Sequence, residues 1–94
     1  MRDISKTLSE REKTHGDFNE MASTAQALKE IIAEAAAGKL SPTQHEALDM
    51  IASKIGRICS GNNNEADHWH DIEGYARLVS REIISEKPDP NNVR

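Results

Sequence analysis

Four carboxylates in the second half of the sequence fall into two close pairs, Glu46 with Asp49 and Asp67 with Asp71. A helix turns about 100° per residue, so side chains three or four positions apart are neighbours on one face. Two carboxylates so placed can share Mg²⁺, a hard cation that takes oxygen ligands and keeps several waters for substrate phosphates to replace. Two such pairs on facing helices would make a four-carboxylate metal site of the kind built in helix bundles. Its metal would activate water and offset phosphate charge, with Glu46, Asp49 and Asp71 as the catalytic carboxylates. Each pair also has a plainer account. An ExxD on a helix is most often a solvated face, Asp67 suits a helix N-terminus, and Asp71 can pair with a basic side chain.

Lys54 and Arg57 follow the first pair by two turns, and His15 stands in His15-Gly16-Asp17-Phe18. All three can meet phosphate oxygens, arginine with two parallel hydrogen bonds and histidine when protonated. Ion pairs with nearby acids and a helix C-terminus are the corresponding structural uses. In Asp67-His68-Trp69-His70-Asp71 the two histidines diverge by about 200° on a helix and cannot chelate one metal together. The apolar spacing puts Trp69 in the core stripe, His68 at its border and His70 toward solvent. Gly74, inside the same helix, costs about 1 kcal/mol relative to alanine, which implies close approach of another helix or a ligand. With one cysteine, Cys59, neither a disulfide framework nor a thiolate zinc site can form within the chain. A nucleophile elbow, a P-loop and a dinucleotide fingerprint are all missing.

The elements that must position these groups are helices. Gly16, Gly38 and Gly61 sit where helix ends want positive φ. Asp17 and Ser41-Pro42-Thr43-Gln44 are N-terminal caps, and Asn64 is suited to cap the last helix. Between them Met21, Ala25, Leu28, Ile32 and Ala35 form one apolar stripe. Leu48, Ile51, Ile55 and Ile58 form a second, and Trp69, Ile72, Ala76, Val79 and Ile83 a third. Residues 4–15 offer only Ile4 and Leu8, so the first helix is short, polar and weakly docked, or finds its partner on another subunit. The sequence therefore predicts an all-α domain over residues 1–86, with three main helices and a short N-terminal one. Residues 87–94 read as a flexible tail.

A chain of 94 residues with 36% hydrophobic content and three aromatic residues, Phe18, Trp69 and Tyr75, builds a thin aliphatic core, which favours a homo-oligomer. The net charge of −4 with scattered basic residues disfavours duplex nucleic acid and anionic membrane surfaces as partners. The charged N-terminus and the lack of any run near the roughly 20 apolar residues needed to span a bilayer point to the cytoplasm.

Three blocks, EREKTHGDFNEMASTAQALK, LSPTQHEALDMIASKIGRICSG and DHWHDIEGYARL, resemble a small family of uncharacterised helical proteins of phages and prophages. That resemblance implies the cytoplasm of a bacterial host. The last two helices are more distantly similar to the MazG-like all-α nucleotide pyrophosphohydrolases. Those enzymes hold Mg²⁺ with ExxE and ExxD pairs and cleave nucleoside triphosphates between the α and β phosphates. The similarity implies Glu46-Ala47-Leu48-Asp49 as one pair and Asp67 with Asp71 as the other. The second helix has no ExxE, and the later pair is spaced by four. The expectation is thus a nucleotide-associated oligomer that binds its ligand through Mg²⁺, with hydrolysis as one outcome. A non-catalytic module that sequesters a nucleotide, and a helical protein that inhibits a host protein, are the alternatives.

Overall fold

The computed structural model describes residues 4–86, so the tail expected at 87–94 lies outside the described residues. Four helices follow in order: α1 (Ile4–His15), α2 (Phe18–Ala36), α3 (Pro42–Ser60) and α4 (Ala66–Glu86). Among the described residues there is no strand. The domain is a small all-α bundle.

Local chemistry sets most boundaries. After α1, Gly16 takes φ +79°, and Asp17 then caps α2 by accepting the amides of Asn19 at 2.7 Å and Glu20 at 3.3 Å. The α2 C-terminus turns off through two left-handed residues, Ala37 at φ 49° and Gly38 at φ 80°. Ser41 and Gln44 form the expected reciprocal capping box, with Pro42 at the first position of α3. Two expectations fail at the next corner. Gly61 has φ −117°, so positive φ is not what it supplies. A Cβ there would lie 2.5 Å from the Thr14 carbonyl oxygen, and close passage of the α1 terminus is what requires glycine. Asn64 does not cap α4, which begins at Ala66; its amide instead donates to the Asn62 side chain at 3.0 Å.

Helix α3 lies at the centre, with α2 and α4 packed on it and α1 touching α2 and α3; among the described residues α2 and α4 do not meet. The α2–α3 seam is made of small residues. Ala25 is 3% exposed and Ala52 1%, and a Cβ on Gly56 would lie 2.7 Å from the Met21 carbonyl oxygen. Backbones can approach this closely only where a side chain is absent.

Helix α4 is rotated from its expected setting. It turns His68, Tyr75 and Val79 inward, whereas Trp69 is 55% exposed and Ile83 42%. The inward line is displaced by roughly 60° from the apolar stripe, at 100° per residue. Two polar tethers hold that rotation. His68, 3% exposed, bonds the Thr14 carbonyl, and Lys54 of α3 pairs with Asp71 at 2.8 Å. Buried polar groups must find partners, and here that requirement overrides the apolar pattern.

Candidate anion-binding site

The sharpest geometry in the molecule is the corner where the α1–α2 elbow crosses the α3–α4 turn. A Cβ on Gly16 would lie 2.1 Å from the Ser60 carbonyl oxygen, so the two backbones cross with no room for a side chain. The Thr14 carbonyl accepts two hydrogen bonds, from the Asn62 amide at 3.1 Å and from His68 Nε2 at 3.0 Å. A carbonyl oxygen can only accept, so His68 carries its hydrogen on Nε2. By the same logic His15, whose Nδ1 is 3.3 Å from the Arg11 carbonyl, is protonated at Nδ1 and keeps Nε2 free to accept a proton. The two imidazoles meet edge to face, 5.2 Å apart at an interplanar angle of 72°.

On the α1 side of this corner opens a cavity of about 270 Å³. Leu8, Phe18 and Met21 supply its apolar wall, and Arg11, Glu12, His15 and Arg57 its charged one. Phe18 is 72% exposed, although it begins α2 on the same face as Ala25. Arg57 comes from the last turn of α3 and has a buried Nε with no hydrogen-bond partner among the described residues. The His15 pKa is held below its usual 6.5, by burial first and by the Arg57 guanidinium second. A cavity lined by two arginines and a histidine against one carboxylate, Glu12, beside an aromatic wall keeps a cationic excess that suits an anion attached to a flat or apolar body.

His15 and Arg57, expected to bind phosphate, therefore line one cavity. Lys54 does not join them. It is 8% exposed, and its ammonium is engaged by Asp71, whose carboxyl is held below its usual range mainly by that hydrogen bond. Asp49 faces His45 at 3.5 Å, and its Oδ1 is buried without a hydrogen-bond partner. Glu46 lines a separate cleft of about 430 Å³ with Tyr75 and Val79, and Asp67 lies exposed in the first turn of α4. Among the described residues no three of the His, Cys, Asp and Glu side chains are grouped so as to hold a metal ion. Glu46, Asp49, Asp67 and Asp71 are thus not gathered within one chain.

Arg11, Leu8 and Phe18 were not among the site residues expected from the sequence. Arg11 precedes His15 by four residues, a spacing that shares a helix face, so one signal was present. Phe18 gave none, because only the tertiary crossing at Gly16 brings it beside Arg57.

The sequence profile of DUF6378, a domain of unknown function, matches residues 1–83. The chain belongs to this family. No curated protein and no solved structure matches the chain. The family match includes every residue that lines the cavity, together with both glycines of the crossing. The elbow is therefore part of the DUF6378 domain itself. Among the described residues no helix is long and apolar enough to cross a membrane.

Proposed function

We propose that this DUF6378 domain is a binding module for a phosphate-bearing small molecule of the nucleotide class, working as a homo-oligomer in the cytoplasm. The observation that carries this reading is the convergence of Arg11, His15 and Arg57 on one cavity beside exposed Phe18. Phosphate would sit on the guanidiniums, Arg57 offering its fork and His15 a proton once an anion is near. The Phe18 ring would cover the base. Sequestration without turnover fits these residues best, since none of them is a nucleophile or a carboxylate pair. The phage and prophage resemblance is compatible with a protein that withholds a nucleotide signal from a host.

The test is thermal unfolding with nucleoside mono-, di- and triphosphates and cyclic nucleotides, in Mg²⁺ and in EDTA, with the ligand analysed afterwards. A ligand at 100 times its dissociation constant adds about 2.7 kcal/mol of stability. A shift that survives EDTA, leaves the ligand intact and disappears in Arg57→Gln is the expected result. No shift with any phosphate compound, or one unchanged in Arg57→Gln, overturns the proposal and favours action on a host protein.

One observation supports a second reading, the Mg²⁺-dependent pyrophosphohydrolase. The partnerless Asp49 Oδ1 is an oxygen that a cation would satisfy, with further ligands from Glu46, Asp67 or Asp71 of another subunit. That reading requires Mg²⁺-dependent release of pyrophosphate and its loss in Asp49→Asn.

A further inference from the structure

The aliphatic stripe of α3 is incompletely covered, because α2 and α4 flank it without meeting. Ile51 and Ile55 are partly exposed. On the flanking helices large apolar side chains are open to solvent, among them Ile31 on α2 at 61%, with Trp69 at 55% and Ile83 at 42% on α4. Short turns make α2 and α4 both run antiparallel to α3, so their residues progress in the same rotational sense when viewed along α3. At 100° per residue, Ile31 lies about 120° from Ala25, which faces α3. Trp69 and Ile83 lie about 60° to 100° from the inward line of His68, Tyr75 and Val79. Both displacements lead to the same side of the layer, the side toward which Ile51 and Ile55 point. Arg57, Glu46 and Leu78 fall on the opposite side.

We infer that this apolar face is a homodimer interface, in which the α2–α3–α4 layers of two copies stack face to face about a two-fold axis. This inference is independent of any ligand at the elbow. The occupant follows from the core. Ala25, Ala47 and Ala52 are the buried hydrophobic residues among those described, and no large side chain there is fully buried. Around these alanines the larger apolar side chains, Leu28, Ile32, Leu48, Ile51, Ile55 and Ile58 among them, are each only part-buried within one chain, and a thin core of this kind gains from further apolar burial. A second copy is present wherever the chain is, and its matching face supplies that burial. The dimensions agree. Helices about 30 Å long at spacings of 8–10 Å give a face of roughly 30 by 25 Å. That is close to the ~800 Å² per partner of a stable interface. A two-fold stack also closes, so it ends in a dimer and not a filament.

The experiment combines sedimentation with the fluorescence of Trp69, the one tryptophan in the chain. Wild type is expected to sediment as a dimer, with an unfolding midpoint that rises with protein concentration. Its tryptophan emission should be blue-shifted and protected from iodide. Ile31→Glu and Ile83→Glu replace side chains that a single chain leaves exposed, so a folded monomer would tolerate them. In the dimer each should weaken association by about tenfold or more, the equivalent of one buried isoleucine. Leu78→Glu, on the opposite side, and Ile84→Glu, on the outer edge of α4, should leave association unchanged. A monomeric wild type with a concentration-independent midpoint overturns the inference. So does an iodide-accessible Trp69 at every concentration, or a dimer broken by Leu78→Glu and not by Ile31→Glu or Ile83→Glu.

Discussion

At the scale of single residues, His15 and Asp71 respond to pH in the same sense, each in its own range. His15 is held below 6.5, largely by burial, so the unfolded chain binds its proton more readily than the folded one. Its contribution to stability is complete above the unfolded pKa and is lost as pH falls through the lowered folded value. A bound anion reverses the preference, because it favours imidazolium. We therefore predict that phosphate-ligand affinity rises as pH is lowered from 8 to 6, and that His15→Gln flattens this profile in titration calorimetry. Asp71 is also held low, by the hydrogen bond from Lys54. Its contribution is present above the unfolded value near 3.8 and is lost as pH falls through the lower folded pKa. Asp71→Asn strands the Lys54 ammonium, which is 8% exposed. The melting temperature should fall, and Lys54→Met in the same chain should recover most of the loss, because it removes the buried charge left without a partner.

At the scale of elements, two glycines make opposite demands. Gly16 sits at φ +79° with the Ser60 carbonyl where a Cβ would be. Gly16→Ala combines left-handed strain with a backbone clash and should destabilise the domain by more than ~1 kcal/mol, opening the elbow cavity with it. Gly74 has nothing within 4 Å of its would-be Cβ, so within one chain it brings only its helix-propensity penalty. Gly74→Ala should stabilise α4 by about 1 kcal/mol in urea denaturation. A loss in its place would show that another chain or a ligand approaches that face. The caps were legible in the sequence because they are local: Asp17 and Ser41 act on amides two or three residues away. The rotation of α4 was not, because it depends on Thr14 and Lys54, distant in sequence.

At the scale of the molecule, the helices differ in how much holds them. Helix α3 packs against all three others, while α1 is polar and its side chains from residue 7 to 13 are exposed. Opening free energies follow buried contacts. Native-state hydrogen exchange should therefore find the slowest amides in α3 and the fastest in the first turns of α1. The amide of Asn62 should be slower than its place in a turn suggests, since it bonds the Thr14 carbonyl at 3.1 Å. An α1 that exchanges as slowly as α3 would contradict its weak docking.

The sequence by itself determined the all-α class, the four helices, the N-terminal caps of α2 and α3 and the thin aliphatic core, because each follows from spacing within one helical turn or from composition. It also marked His15 and Arg57 as phosphate candidates by residue type. Tertiary structure alone decided which candidates meet. The Gly16–Gly61 crossing brings His15, Arg57, Arg11 and Phe18 to one cavity, while Lys54 is committed to Asp71 and the four carboxylates do not gather in one group within the chain. Periodicity could not foresee that Trp69 would face outward and His68 inward. A buried imidazole with a backbone carbonyl to satisfy fixes a helix's rotation as firmly as an apolar stripe does, and that carbonyl lies 54 residues away in the chain.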